Sequence, residues 1–229
     1  MALVSPDTKL CDTIIEEPSV IPVINRFGIS LGVSDKSIES ICMEKGIDLT
    51  FFLTTLNAYI NESFYPDKCF DSFGVAEIID YLRKTNNSYL RFQLPNIERH
   101  FGALISRSDK NNNLPLLLNL YNEVKEEIVK RINNDNKWFS EILTCVKDIS
   151  GSISIQIEIA PEFENSIEDK LSDLINMFVI HLRGEYDANL CHAVLFAIIS
   201  LEKDIKQNNR IRNRILYPIS VALKNASNN

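Results

Sequence analysis

The chain has 229 residues, and this length allows one large domain or two small ones. Its hydrophobic fraction of 45% is enough for a packed core and excludes a largely disordered chain. Its net charge of −7 argues against general nucleic-acid binding, because contacts with phosphate dominate that affinity. No apolar run approaches the roughly 18 residues that span a bilayer, and the N-terminus lacks the features of a secretory leader. We therefore expect a cytoplasmic protein without a membrane partner.

The cysteine pattern excludes a disulfide framework and a structural zinc site. The chain has five cysteines, an odd number, and no two of them form a Cys-x-x-Cys pair. Free cysteines are among the most buried residues in proteins. We expect most of these side chains to lie in the core as small apolar groups: Cys11, Cys42, Cys69, Cys145 and Cys191.

The first 60 residues have the pattern of short helices. Their apolar positions suit helical segments that are broken near Pro18. Gly28 is placed to end a helix, and Asp48 is placed to cap the next one. We predict a small helical domain over residues 8–62, followed by a polar linker over residues 63–72. The inward residues of its last helix would be Phe51, Phe52, Leu53, Leu56 and Ile60.

Residues 73–224 carry apolar side chains at helical spacing in four long segments. The first segment would be kinked or broken at Pro95. The second covers residues 114–147 and has a weak point at residues 133–136, where four poor helix formers adjoin. Residues 151–159 alternate isoleucine with polar residues, which fits a β-strand, whereas the family resemblance described below implies the start of the third helix. That alternative stays open from the sequence.

The third and fourth segments cover residues 167–182 and 188–206. Four amphipathic helices with modest connectors predict an antiparallel four-helix bundle. The predicted fold class is therefore all-α, with a small N-terminal helical domain followed by this bundle. The inward residues of the last two helices would be Leu171, Leu174, Ile175, Phe178 and Val179, and then Leu190, Val194, Leu195, Ile198, Ile199 and Leu201.

Three stretches carry a resemblance to a known family. The pattern RFGI…SIESICMEKGIDLTFFLTTLN is similar to the N-terminal domain of the Repair of Iron Centers family. VAEIIDYL followed by LRFQLP resembles the first hemerythrin-like helix of that family, and the Leu-Tyr-Pro at residues 216–218 resembles the end of its last helix. The resemblance implies a hemerythrin-like bundle that holds two iron ions. It also implies an N-terminal Cys-Cys-Gly-Gly motif, but the matching residues are Gly32, Val33, Ser34 and Asp35.

The ligand positions that the resemblance implies are occupied by other residues. Counting back from Leu-Tyr-Pro, the family's His-x-x-x-Glu falls on Asn208 and Arg212. Leucine and alanine offer no donor atom, and arginine has no lone pair for a cation. We therefore expect no metal and no other cofactor, with a di-iron centre as the alternative. The former ligand positions are Leu90, Glu127, Arg131, Ala160, Asn208 and Arg212.

Two arrangements of the arginines stay open. Buried arginines are costly unless they are paired, so Glu127 could join Arg131, Arg212 and Asn208 in a network that fills the former metal cavity. Alternatively, rotation of the helices exposes both arginines to solvent. A third arginine, Arg210, belongs to a basic segment that could meet an acidic partner or nucleic acid, although a solvated helix face is the simpler interpretation.

The remaining candidates for chemistry are three histidines. His181 and Glu185 have the spacing His-x-x-x-Glu, but Gly184 between them weakens the helix, and a solvent-exposed helix end is the default. His100 and His192 have no partner placed by a motif. No nucleophile–base arrangement or phosphate-binding loop stands out.

The sequence favours a metal-free, non-catalytic protein that acts as a regulatory, sensory or interaction module. It could be the N-terminal part of a transcriptional regulator that continues beyond Asn229, and nucleic acid would be a partner only through such a further domain. The expected partner is a protein of unknown identity, and a homodimer is compatible with the sequence. One alternative is a di-iron protein that repairs iron–sulfur clusters under nitrosative or oxidative stress. The other is a small-molecule binder that uses the former metal cavity.

Overall fold

The computed structural model describes residues 3–64, 74–109, 112–148 and 166–227. These residues form an all-α protein, which confirms the all-α part of the predicted fold class, whereas the four-helix bundle stays a prediction. One isolated antiparallel bridge joins Lys9 to Ser37. None of the described helices is long and apolar enough to cross a membrane. The helices are α1 (Leu10–Glu16), α2 (Ile21–Arg26), α3 (Ile38–Lys45), α4 (Leu49–Ile60), α5 (Val75–Ser88), α6 (Leu94–Ser106), α7 (Leu114–Asp148), α8 (Ser166–His181), α9 (Ala188–Ile211) and α10 (Tyr217–Ser227).

The chain divides into two compact units that do not follow its linear order. Unit 1 comprises Met1–Thr85, Phe139–Pro161 and Gln207–Asn229, and unit 2 comprises Asn86–Trp138 and Glu162–Lys206. The domain ranges 8–62 and 73–224 stay predictions. Most of the predicted linker, and the stretch 151–159 that fits a strand or a helix, lie outside the described residues.

The helix ends in unit 1 follow from individual residues. A 3₁₀ turn at Pro18–Val20 separates α1 from α2, as the proline predicts. Gly28 follows α2 with a φ of 76°, a left-handed conformation that favours glycine. The Asp48 carboxylate accepts a hydrogen bond from the Phe51 N–H at 2.7 Å. The predicted cap of α4 is therefore confirmed, and it satisfies one of the N–H groups that a helix start leaves without a partner.

The core of unit 1 is rich in aromatic residues. The Phe27 ring packs edge-on against Phe52 with 4.9 Å between centroids, and its centroid lies 5.3 Å from that of Tyr81. Such edge-on and offset contacts contribute beyond the buried area alone. Arg26 is buried beside this cluster, with its guanidinium 5.9 Å from the centre of the Tyr81 ring.

Unit 2 has one continuous apolar core. Leu104 and Tyr121 are fully buried members, and α8 and α9 contribute Leu174 and Ile198. Most of the residues predicted to face inward on α8 and α9 do so. Val179 and Ile199 are the exceptions, because they are 67% and 36% exposed. A period of 3.6 residues places each of them beside a buried neighbour but at the edge of the apolar stripe.

Helix α7 is continuous through the predicted weak point at residues 133–136. Poor helix propensity costs only a few tenths of a kcal/mol per residue, about 0.7 at most for ordinary residues. The flanking residues Ile132 and Phe139 are each 1% exposed, and Asp135 is 2% exposed. Burial on both sides of the weak segment therefore overrides the local preference.

Candidate functional site

The stretch Asn208–Pro218 passes through a π-turn. Helix α9 ends at Ile211, the π-turn spans Arg212–Leu216, and the Tyr217 N–H donates to the Arg212 carbonyl five residues back. Pro218 has no N–H, and its ring would clash with the carbonyl four residues earlier in a regular helix. The wider turn lets the helix continue into α10 without that hydrogen bond.

The same solution occurs at Pro95 in unit 2. A π-turn spans Tyr89–Gln93, and the Leu94 N–H donates to the Tyr89 carbonyl. The predicted kink or break is therefore a widened turn that joins α5 to α6. The buried Tyr121 hydroxyl donates to the Leu94 carbonyl at 2.8 Å, and burial raises the pKa of this phenol. This hydrogen bond gives the Leu94 carbonyl, next to the proline, a side-chain donor.

Three side chains of the C-terminal stretch bind the end of α4. Gln207 and Arg210 lie three residues apart on one helix face. The Gln207 amide donates to the Tyr59 carbonyl at 2.7 Å, and Arg210 donates to the Ala58 carbonyl at 3.1 Å. The last four carbonyls of a helix lack intrahelical partners and carry the negative end of its dipole. The Gln207 amide gives one of these carbonyls a donor, and the Arg210 guanidinium gives another a donor that also carries a positive charge.

Arg214 extends this contact past the helix end. Its guanidinium donates to the carbonyls of Glu62 and Phe64 at 3.1 and 3.2 Å. Arg210 also pairs with the Glu62 carboxylate at 2.9 Å. We call Gln207, Arg210 and Arg214 the carbonyl clamp. The interpretation of this basic segment as a solvated helix face is wrong, because Arg210 and Arg214 bind backbone carbonyls within unit 1.

The former ligand positions in unit 1 make local contacts. Asn208 is 4% exposed, and its Oδ1 lies 3.4 Å from the Thr85 hydroxyl. That hydroxyl also donates to the Tyr81 carbonyl at 3.0 Å. Arg212 is half-buried and donates to the Asn213 side chain at 3.0 Å. Sequence reasoning singled out both residues but not these partners.

The former ligand positions in unit 2 differ from one another. Glu127 is half-buried and pairs with Lys170, whose pKa is raised chiefly by that hydrogen bond. Arg131 is half-buried, so rotation has not exposed both arginines to solvent, and the wider network stays a prediction. Leu90 lies in the π-turn and is 36% exposed, whereas its neighbour Tyr89 is fully buried. The remaining former ligand position, Ala160, is not in unit 2 and lies outside the described residues.

These residues do not fit a di-iron centre by their chemistry. Leu90 and Ala160 have no donor atoms, and the guanidinium groups of Arg131 and Arg212 cannot ligate a cation. The Glu127 carboxylate is engaged by an ammonium group. In the four described ranges of the chain, no cluster of three or more His, Cys, Asp or Glu side chains could hold a metal ion.

Sequence reasoning missed a buried carboxylate in unit 2. Asp204 is 2% exposed, and the Gln93 amide donates to its Oδ2 at 3.1 Å. Asp204 follows the buried Leu201 by three residues and so falls on the apolar stripe of α9. A charged residue at an apolar position of the helical pattern could have been interpreted as a buried carboxylate with a polar partner.

The remaining candidates have structural or surface positions. His181 and His192 are exposed, and the His181 carbonyl accepts a hydrogen bond from the Asn113 side chain at 2.9 Å. Cys42 is 1% exposed, as predicted. Burial, and then the charge of Asp48, raise the pKa of its thiol to about 11. A thiol with so high a pKa is a poor nucleophile near neutral pH.

Comparison with protein-family models, with curated proteins and with solved structures finds no significant match to this chain.

Proposed function

We propose that this chain is a metal-free, non-catalytic protein with a hemerythrin-like four-helix bundle, and that it acts as a regulatory, sensory or interaction module. Its partner is a protein, and the chain can serve as the N-terminal part of a transcriptional regulator. Nucleic acid is contacted only through a further domain. The observation that supports this proposal is the identity and engagement of the residues at the former ligand positions.

Electrostatics at these positions oppose a cation. A di-iron bundle uses inward carboxylates and histidines from facing helices. Here Arg131 and Arg212 bring two permanent positive charges to such positions. Lys170 adds a third beside Glu127. An ion bound beside any one of these residues would meet a positive charge instead of a donor, which raises the free energy of the bound state.

Thermal unfolding with ferrous iron tests this proposal. A ligand that binds only the folded chain stabilises it by RT ln(1 + [L]/Kd). We expect the unfolding midpoint in anaerobic buffer to agree within about 1 °C between samples with excess Fe²⁺ and samples with a chelator. A rise of several degrees with Fe²⁺ would instead favour the di-iron repair protein. Zn²⁺ in place of Fe²⁺ is the control for unspecific binding.

A small-molecule binder is the second candidate. Three consecutive polar residues, Gln207, Asn208 and Asn209, are each only 4–5% exposed. Buried amides are costly unless they are hydrogen-bonded, and they provide both donors and acceptors for a polar ligand. A midpoint that rises with a polar metabolite, but not with Fe²⁺, would favour this candidate over the interaction module.

A further inference from the structure

Helices α8 and α9 form an antiparallel pair in unit 2. The Ser172 hydroxyl donates to the Glu202 carboxylate at 2.5 Å, and the short connection 182–187 joins the two helices. Both helices rise about 1.5 Å per residue. Val179 lies seven residues after Ser172 on α8, and Phe196 lies six residues before Glu202 on α9. These similar spacings place Val179 and Phe196 at nearly the same level of the pair.

Large apolar side chains are exposed at this level. Val179 and Ile180 are each 67% exposed on α8, and Phe196 is 68% exposed on α9. Ile199, one turn further along α9, is 36% exposed. We call these four residues the apolar face. Large exposed apolar side chains that lie close together mark interaction sites, whereas single exposed apolar residues are common on any protein surface.

The helix segments that carry the apolar face have no formal charge. Residues 174–182 and 188–201 contain no Asp, Glu, Lys or Arg, although such residues make up 24% of the chain. The segments begin and end at charged residues, with Asp173 before the first and Glu202 after the second. The exposed polar side chains within these two segments are amides, hydroxyls and imidazoles, such as those of Asn176 and Ser200.

We propose that the apolar face binds the same face of a second copy of this chain. In a two-fold symmetric contact each residue near the axis meets its own copy, so a charged residue there would meet a like charge. Two copies that each carry a net charge of −7 repel one another elsewhere. A charge-free face is the surface on which they can meet without that cost. A partner recognised through complementary charge would have no charged side chain to pair with on these helix segments.

Phe196 is the expected anchor of this dimer. Aromatic residues are enriched at the centres of interfaces, where a few side chains account for most of the binding energy. Phe196 is the largest side chain of the apolar face and is 68% exposed in the single chain. Burial against its own copy would remove this ring from water.

Sedimentation equilibrium of the full chain tests the proposal, with Phe196→Glu as the variant. The wild-type chain is expected to have twice the 26.1 kDa mass of one chain. Phe196→Glu places two carboxylates across the axis, and we expect its dissociation constant to rise at least about tenfold. Met43→Glu is the matched control, because Met43 is 78% exposed on α3 and does not belong to the apolar face. It should dimerise like the wild type.

Two results would overturn the second-copy proposal. One is a wild-type chain that stays monomeric up to about 100 µM, a concentration at which even a weak micromolar dimer forms. The other is a Phe196→Glu variant that dimerises as well as Met43→Glu. Circular dichroism of both variants checks that each is folded, and Val179→Ser provides a second, milder change on the same face. Neither result depends on metal content, so the proposed function is tested separately.

Discussion

Asn57 illustrates how much a single buried amide can do in this chain. Its side chain accepts from the Val4 N–H at 2.8 Å and donates to the Val4 carbonyl at 3.0 Å. Both backbone groups of Val4 are thereby satisfied by one residue that is 53 positions away and 5% exposed. Its register on α4 matches that of apolar residues, so the pattern alone gives no hint of this partner.

Cys42 gives the residue-scale prediction, which concerns pH. Burial raises the pKa of its thiol from the ordinary 9.0 to about 11 in the folded chain. Below pH 9 the thiol is neutral in both the folded and the unfolded chain, so its titration does not change the free energy of unfolding. Between about pH 9 and pH 11 the unfolded chain loses its proton first, so the folded state loses stability as the pH rises.

The measurement compares the free energy of unfolding of the wild type and Cys42→Ala at pH 8 and pH 10. We expect the wild type to lose more stability than the variant over this interval. Equal losses would show that Cys42 does not titrate in this way. Cys11 is half-buried and offers a control, because a thiol reagent at pH 8 should modify it well before Cys42.

At the scale of elements, the carbonyl clamp joins the end of α9 and the π-turn that follows it to the end of α4. Arg210 has 14% of its side chain exposed and binds both the Ala58 carbonyl and the Glu62 carboxylate. Its removal would leave a helix-end carbonyl without its donor. Hydrogen bonds to charged groups contribute about 1.5–3 kcal/mol, although the exposed Glu62 carboxylate weakens the ionic part by solvent screening.

We therefore expect Arg210→Ala to lower the free energy of unfolding by about 1–2 kcal/mol. Urea unfolding followed by circular dichroism measures this change. Arg91→Ala is the matched control, since Arg91 is exposed in the π-turn at Tyr89–Gln93, and it should change stability by less than about 0.5 kcal/mol. If both variants unfolded at the same urea concentration, the clamp would have no net effect on stability.

Helix ends and most inward faces could be predicted from the sequence because their causes are local. Asp48 caps α4 three residues away, and Gly28 follows α2 with a left-handed φ. The clamp could not be predicted, since Gln207 and Tyr59 lie 148 residues apart. The π-turns were not predicted either, because a proline indicates that a helix is kinked or broken but not which backbone conformation accommodates the proline.

For the candidate site, the sequence indicated the positions but not their surroundings. Arg212 and Asn208 were singled out from the motif that follows them, whereas the contacts with Asn213 and Thr85 depend on the packing of helices. Leu90 was expected among former ligand positions, yet it is exposed because the π-turn shifts the register of its helix by one residue. A helical period predicts which residues are buried only where the helix is regular, so that prediction fails at the π-turn.

At the scale of the whole molecule, the chain combines an all-α architecture with arginine, leucine and asparagine at positions that the family resemblance assigns to metal ligands. Its contacts there are made among protein groups, such as Glu127 with Lys170 and Asn208 with Thr85. These contacts are formed without a metal ion. The central claim is that the chain performs its role without iron.

Iron content tests that claim most directly. The full chain would be expressed with added iron, reconstituted with Fe²⁺ under anaerobic conditions, desalted, and measured by inductively coupled plasma mass spectrometry. We expect less than about 0.1 iron per chain, because the former ligand positions lack the donors that a bundle site needs. About two irons per chain, the stoichiometry of a di-iron bundle, would contradict it.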